Sequence, residues 1–525
     1  MTEEDTKDEA QATGDWWPGH RAHEKPDAPA QIMASTGTVM TYGELHAGAN
    51  RLARWLQSQG LAPGDHVAFC LENHRRFLEI TWGCDYAGLV FTAISSRLTP
   101  DEAGYIVEDC GAKAFITSHH LAAMAAALAE RGPAIPRLML DGTMPGYDAY
   151  ETTVDPLPSD DLDKYIEGTD MLYSSGTTGR PKGIERLITG GPIGQPDPIA
   201  GMGTVLFGFH SGCVYLSPAP LYHAAPLRFS MATQRVGGTV VVMERFDPED
   251  FLALVERHHV THSQVVPTMF IRMLKLPVEV RERYDTSSLE GIIHAAAPCP
   301  VEAKAAIIEW LGPIVHEYYA GTEGNGFVYC NSEQWLARPG TVGQSLTTAV
   351  HICDDAGDEL PVGETGTIYF DGGDVFRYHN DPDKTTSSRN PKHAAWTTLG
   401  DIGRIDDDGF LYLTDRRSYM IISGGVNIYP QEAENVLALH PKVADVAVIG
   451  VPDGEMGEQV KAVVEPIDGV EPTDELAREL IAYCRDRLAH YKCPRSIDFD
   501  PELPRHPTGK LYKRLVRDRY WVATA

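Results

Sequence analysis

Positive charge is what this chain has least of. Among 525 residues, 45 are Lys or Arg against 74 Asp or Glu, a formal net charge of −29. Nucleic-acid phosphates are gripped by a basic face, so this balance argues against a nucleic-acid partner. A local basic pocket for a small phosphorylated ligand stays open, and much of the acidic excess is solvated surface. Long apolar runs are missing too: none approaches the roughly 18 residues that cross a bilayer, so no transmembrane segment is expected. The opening Met1-Thr2-Glu3-Glu4-Asp5 is acidic and polar, unlike a secretory signal. Nine cysteines stand at 70, 84, 110, 213, 299, 330, 353, 484 and 493, and no two have the C-x-x-C spacing of a zinc ribbon or dithiol centre. An odd, scattered set is expected to be the reduced thiols of a cytoplasmic protein. Internal repeats and low-complexity tracts are absent as well.

What is present exceeds one ordinary domain. After an irregular start to about residue 30, strand and helix patterns alternate. Thr41-Tyr42-Gly43-Glu44-Leu45 opens a helix with Leu45, Ala49, Leu52, Ala53 and Leu56 on one face. Asp65–Cys70 reads as a buried strand, Phe77–Ala87 as a helix and Ala112–Thr117 as the next strand. Such alternation predicts a parallel, doubly wound α/β layer. The apolar pair Met171-Leu172 is expected to end a short buried strand. The stretch Glu185–Gln234 is rich in Gly and Pro and weakly periodic, the kind of segment that borders a site. Alternation resumes with strands at Gly238–Met243, Thr261–Val266, Ile292-Ile293 and Val315–Glu317 and a helix around Phe251–Val255. Asp406–Gly409 is expected to turn between two strands. Pro430 opens a helix with acids in its first turn, Asp445–Gly450 is a strand, Leu476–Leu488 is an amphipathic helix, and the tail after Pro504 is basic. The fold class expected is therefore α/β: a large N-terminal domain of several subdomains over 1–416, and a small mobile α+β domain over 417–525.

The most informative stretch is Tyr173-Ser174-Ser175-Gly176-Thr177-Thr178-Gly179-Arg180-Pro181-Lys182-Gly183. Glycines bring backbone N–H groups close to an anion, hydroxyls add donors, and Lys182 adds a point charge suited to phosphate. Similar compositions also make plain surface loops. The order is not that of the common P-loop, which needs Gly-Lys-Ser or Gly-Lys-Thr before a helix. A second stretch, His316-Glu317-Tyr318-Tyr319-Ala320-Gly321-Thr322-Glu323-Gly324, combines an aromatic face suited to a base with hydroxyl and carboxylate groups suited to phosphate and Mg2+. Small residues at Ala295-Ala296-Ala297 could lie flat against a base or simply pack closely. Asp401 is a carboxylate able to accept ribose hydroxyls, and Arg416 could donate to the same ribose or to phosphate; a weak surface ion pair is the plainer reading. Ser423-Gly424-Gly425-Val426-Asn427-Ile428-Tyr429-Pro430 contains a Gly-Gly turn, Pro220-Leu221-Tyr222-His223 a single His, and Pro507-Thr508-Gly509-Lys510 a lysine on a short glycine-bearing loop.

Taken in order, these stretches resemble the signature segments of the AMP-forming adenylating enzymes: acyl- and aryl-CoA synthetases, luciferase and peptide-synthetase adenylation domains. The resemblance implies that Ser174, Ser175, Gly176, Thr177, Thr178, Gly179 and Lys182 cradle the ATP phosphates. It puts adenine between Ala295-Ala296-Ala297 and Tyr318-Tyr319-Ala320-Gly321, with Tyr319 stacked on the base. Thr322 touches the α-phosphate, Glu323 helps hold Mg2+, and Asp401 and Arg416 take the ribose. Gly424 and Gly425 line the path of the coenzyme A arm, His223 gates it, and Lys510 orients the acid and α-phosphate. Lys510, Glu323, Thr178 and His223 are the catalytic candidates. Ala320 replaces the first glycine of the family's Tyr-Gly-x-Thr-Glu, and Ser418 stands at the hinge, where Asp or Lys is usual.

The implied activity is an ATP-dependent acyl-CoA ligase using Mg2+ and coenzyme A. Its carboxylic-acid substrate is expected to be apolar, because Phe207, Phe209, Tyr215, Tyr222, Met231 and Phe327 fall in the stretches expected to line the acid pocket; fatty, aryl and steroid-side-chain acids fit alike. A loader of an acyl-carrier protein supplied in trans, a luciferase-like oxygenase and a non-catalytic nucleotide binder are the alternatives. A homodimer is compatible with the sequence and not specified by it.

Overall fold

In a computed structural model, the structure describes residues 14–174, 181–186, 190–195, 197–372, 376–505 and 511–521. The chain divides into two contact units. One comprises Met1–Val265, Glu282–Ile293 and Phe376–Pro382; the other comprises Val266–Arg281, His294–Val375 and Asp383–Ala525.

The first unit is built on parallel strands. One sheet runs in the order Asp148–Ala149, Arg137–Leu140, Ala114–Ser118, His66–Leu71, Val90–Ser95, Thr169–Asp170, every neighbouring pair parallel. A second parallel run joins His262–Val265, Val214–Ser217, Thr239–Val242 and Pro29–Met33, with Val39–Thr41 antiparallel at the edge. Parallel strands need long crossovers, and helices supply them. Tyr42–Ser58 begins at a capping box: the Thr41 hydroxyl accepts from Glu44 N while the Glu44 carboxylate accepts from Thr41 N. Its predicted stripe of Leu45, Ala49, Leu52, Ala53 and Leu56 is fully buried.

Two sequence expectations change here. Met171 and Leu172 are buried but lie between two short strands, Thr169–Asp170 and Tyr173–Ser174, so the strand ends at Asp170, two residues earlier. The stretch 185–234 is more regular than its Gly and Pro content suggested. It holds the helix Pro198–Phe207, N-capped by Asp197 and ended by Gly208 in the left-handed region, the strand Val214–Ser217 and the helix Ala224–Arg235. Flanking glycines and prolines there act as caps rather than breakers.

The second unit is mostly antiparallel, the parallel pairing of Ser496–Phe499 with Gly457–Pro466 being an exception. Val315–Ala320, Phe327–Cys330 and Gln344–Ser345 pair in succession, and Ala349–Cys353, Gly366–Asp371, Asp401–Ile405 and Leu411–Arg416 form a four-stranded sheet. A 3-10 turn, Arg417–Tyr419, leads into a separate five-stranded sheet in which the long hairpin Val443–Asp453 and Gly457–Pro466 puts its first strand at the edge and its second inside. Alternation divides that hairpin's side chains between two cores. Val446, Val448, Val460, Ala462 and Val464 pack with Leu437 and Leu480, whereas Ala447, Ile449, Val451 and Val463 pack with Leu503 and Val516. Among the described residues no helix is long and apolar enough to cross a membrane.

The capping box carries a checkable consequence. Thr41→Ala leaves Glu44 N without its acceptor and is expected to destabilise the first unit by about 1 kcal/mol. Calorimetry should show its thermal transition lowered by a few degrees, with no change in far-UV circular dichroism.

Candidate active site

In the first unit Lys182 begins the strand Lys182–Glu185, which pairs antiparallel with Tyr173–Ser174 and places Lys182 opposite Ser174. Ser175, Gly176, Thr177, Thr178 and Gly179 lie outside the described residues, as does Lys510. The base of the hairpin is held by charge. Tyr173 donates its phenol to Asp109 Oδ2 at 2.6 Å, and the Lys182 ammonium pairs with Asp381. Asp170, three positions before Tyr173, is buried. It accepts from Arg186 Nη1 at 2.9 Å and from Arg228 Nε and Nη2 at 3.2 and 2.7 Å. Burial alone would raise this carboxyl; the Arg228 and Arg186 guanidiniums outweigh it and hold it down at about 2. Arg228 belongs to the helix Ala224–Arg235, whose N-cap is His223. One carboxylate therefore fastens both feet of the hairpin to the helix that starts at His223, whose ring meets Tyr222 edge-on at 4.3 Å.

The aromatics expected to line an acid pocket are spent largely on one another. Phe207, Phe209 and Tyr215 are buried around Phe229, with ring centroids 5.8, 6.0 and 6.4 Å from it. In the second unit, Phe327 stacks on Tyr318 at 5.4 Å.

That unit brings together three residues picked from separate stretches. The Tyr319 hydroxyl donates to Asp401 Oδ2 at 2.7 Å, and Arg416 Nε donates to Asp401 Oδ1 at 3.0 Å. Antiparallel pairing sets Asp401 opposite Arg416, so register delivers the contact. The ion pair taken as the plainer reading of these two residues exists, but around a buried carboxylate rather than at the surface. Burial, then the adjoining Asp401, pushes the Tyr319 phenol well up, and Asp401 pushes Arg416 further up, so at neutral pH both remain donors. Beyond Ala320 the chain turns tightly, Gly324 N donating to Gly321 O at 3.1 Å. A Cβ on Gly321 would meet Glu323 Oε2 at 2.7 Å and Leu399 Cδ2 at 2.8 Å, so the glycine leaves room for both side chains. The small-residue segment follows the strand Gly291–His294: Ala295 is buried, Ala296 and Ala297 are exposed, and Ala296 has φ of 77°. An L-residue held there costs about 1 kcal/mol, a strain that gathers at functional sites.

Gly424 and Gly425 form the two-residue turn between strands Ile421–Ser423 and Val426–Ile428, with φ of 56° and 80°. A tight hairpin of this kind needs positive φ at both positions, which explains the Gly-Gly pair. Among the described residues the metal-type cluster of three ligands is His23, His46 and Asp161; Glu323 is in no such cluster. Sequence reasoning also missed Asp170 and the buried pair Lys304–Glu317. Lys304 left a signal: it falls on the buried stripe of its helix beside Ala303, Ile307 and Ile308.

Comparison with known proteins decides the family. The AMP-binding enzyme profile matches residues 19–378, and the profile of the AMP-binding enzyme C-terminal domain matches 432–510. The chain belongs to the AMP-binding enzymes. Within this family it is similar to a feruloyl-CoA synthase of Amycolatopsis sp, 35% identical over 510 residues that cover 96% of this chain and 98% of the relative. It is also similar to a fatty acid–[acyl-carrier-protein] ligase, ScoC, of Streptomyces coeruleorubidus, 30% identical over 518 residues and 96% of each chain. A solved o-succinylbenzoate CoA synthetase from Bacillus subtilis, in complex with its acyl-adenylate intermediate, superposes with a TM-score of 0.80 at 27% identity, over 96% of this chain and 98% of that one. AMP-binding enzymes of mixed α/β build are thus matched along almost the whole length.

If the Tyr319–Asp401–Arg416 chain underlies the bound nucleotide of this AMP-binding enzyme, Tyr319→Phe removes one hydrogen bond and little else. AMP affinity measured by calorimetric titration should fall roughly threefold to tenfold, about 1 kcal/mol. Unchanged affinity would separate that chain from the nucleotide.

Proposed function

We propose that the protein is an ATP-dependent, AMP-forming acyl-CoA ligase acting on an apolar carboxylic acid. The observation that carries this reading is the likeness to an acyl-CoA synthase along 96% of the chain, together with the signature stretches standing in family order from 173 to 510. In the first step a carboxylate oxygen of the acid attacks the α-phosphorus of ATP, the bond to the bridging oxygen breaks, and pyrophosphate leaves. In the second, the coenzyme A thiol gives its proton to solvent, its sulfur attacks the acyl carbonyl, the bond from that carbon to the phosphate oxygen breaks, and AMP departs.

This chain's own groups position and neutralise. Ser174–Gly179 with Lys182 surround the phosphates, whose charge suits hydroxyls, backbone N–H groups and an ammonium. Lys182 exchanges its Asp381 partner for phosphate oxygens. Asp401 accepts the ribose hydroxyls while Tyr319 and Arg416 hold it in place. Adenine lies between 295–297 and 318–321. Mg2+ fits the Thr322–Glu323 turn, because a single carboxylate beside phosphate oxygens and water suits an ion that keeps much of its hydration; bound there it would neutralise charge on the phosphates. The segment from 417 onward is a mobile domain pivoting at Ser418. It carries Lys510 to the acid and α-phosphate for the first step, and Gly424 and Gly425 beside the thiol arm, past His223, for the second. A cytoplasmic location and a homodimer complete the proposal, and fractionation and sedimentation read both directly.

Similarity to ScoC supports a second reading, transfer to a carrier protein. Pyrophosphate release over a panel of fatty, aryl and steroid-side-chain acids should select the substrate class. Coenzyme A against a pantetheinylated carrier as acceptor then separates the readings: no thioester with coenzyme A would remove the ligase. Lys510→Ala should lower the acid-to-acyl-adenylate rate by a factor of roughly a hundred or more, while supplied acyl-adenylate and coenzyme A still give thioester at close to the normal rate. Equal loss in both half-reactions would remove the pivoting account. Glu323→Gln should slow the first half-reaction strongly without unfolding the protein; normal turnover at ordinary Mg2+ would free Glu323 of its role.

A further inference from the structure

Directly behind the two nucleotide-base segments lies a group of ionisable side chains that the reaction as described does not use. Lys304, on the helix Val301–Leu311, is fully buried, and its Nζ donates to Glu317 Oε2 at 2.5 Å. The same ammonium stands over the Trp335 ring, 5.0 Å from its centroid. His294 is also fully buried, with Nε2 3.6 Å from the same Glu317 oxygen and neither ring nitrogen hydrogen-bonded. Cys299 and Cys330 are the other titratable groups within electrostatic reach of the pair.

Placement gives the cluster its interest. Glu317 immediately precedes Tyr318-Tyr319-Ala320, and His294 immediately precedes Ala295-Ala296-Ala297. Along the Val315–Ala320 strand Val315 and Glu317 point inward, so the next inward group after Glu317 is Tyr319. A single carboxylate oxygen therefore touches the start of both walls, and Lys304 holds it from a third element. Removing such a cation leaves an uncompensated buried carboxylate, a costly state that strand ends relieve by moving apart.

We propose that Lys304 is a positioning residue for nucleotide binding: through Glu317 and His294 it fixes the separation of segments 295–297 and 318–320, and with it the fit of the base. The inference rests on the reading of those segments as the adenine slot. Lys304 touches no substrate. Burial keeps His294 neutral, its pKa lowered further by the Lys304 charge, so the cluster's charge balance is that of the Lys304–Glu317 pair. Burial also pushes the Glu317 carboxyl up, and only Lys304 opposes the shift.

The test is steady-state kinetics of the full-length protein over a range of pH. For Lys304→Met, KM for ATP should rise about tenfold, with kcat at saturating ATP and the KM values for acid and coenzyme A within about twofold of wild type. That rise should grow with pH, because the unpaired Glu317 is protonated and quiet in acid and charged above its raised pKa. Pairing the change with Glu317→Gln removes the stranded charge, and the KM should then return to within about threefold of wild type and lose its pH trend. A wild-type KM for ATP in Lys304→Met overturns the proposal. So does a uniform fall in all parameters that the double variant does not reverse. Should Lys304→Met fail to accumulate, Lys304→Arg keeps the charge but displaces it; its KM for ATP should rise at least threefold, and an unchanged value is equally fatal. Tyr319→Ala, run alongside, separates the two levels. If it leaves KM for ATP unchanged, the slot itself is misplaced and both readings fall. If it raises KM while the Lys304 variants do not, the slot stands and only the role of Lys304 falls.

Discussion

A carboxylate taken out of water must find cations, and this protein repeats that constraint wherever a signature stretch meets the core. Asp170 takes Arg186 and Arg228, Glu317 takes Lys304, and Asp401 takes Arg416 with the Tyr319 phenol. Asp170 and Asp401 sit at strand ends and Glu317 within a strand, and each partner comes from another element. Breaking one tie strands a buried charge at a cost of roughly 3–5 kcal/mol, so the ends of these elements have little freedom to drift. The segments that the proposed function sets against phosphates, a base and a ribose thus hang from points that the interior fixes.

The same economy reconciles a chain of net charge −29 with an anionic nucleotide. Global charge governs solubility and long-range association; recognition is local. Positive residues such as Lys182, Arg416 and Lys510 stand within a few short stretches. Of these, Lys182 and Arg416 are already engaged with Asp381 and Asp401. A nucleotide then competes with, or builds on, an existing pair. Under the proposed function Lys182 exchanges its carboxylate for phosphate, whereas Asp401 keeps Arg416 and takes the ribose.

Much of this was legible from short-range pattern. The helix at Tyr42–Ser58 announced itself through Thr41, Glu44 and an apolar stripe. The parallel layer followed from strands separated by helices, and the Gly424-Gly425 pair marked a turn that only such residues enter. Pattern failed at 185–234, where glycine and proline serve as helix caps, and at Met171-Leu172, where burial continued past the end of the strand. It also gave no sign that Asp170 or Glu317 would be buried against a cation, since an acid that will be buried beside arginine or lysine reads the same as one left in water. The aromatics at 207, 209 and 215 looked like a pocket lining because apolarity does not say which surface it will cover; three of them cover Phe229.

By itself, then, the sequence determined what depends on neighbours along the chain: element type and order, the caps and turns, and the family, whose signature is a set of short contiguous stretches. Tertiary structure alone decided what depends on pairs far apart. That Tyr319 shares one carboxylate with Arg416 follows from the register of Asp401 against Arg416 and the reach of a phenol across 82 positions. That Arg186 and Arg228 meet at Asp170, and that Lys304 meets Glu317 under His294, follows from the packing of helices on strand ends. Such contacts form because a buried charge must be compensated by whichever cation the fold brings near, and no local rule names that cation in advance.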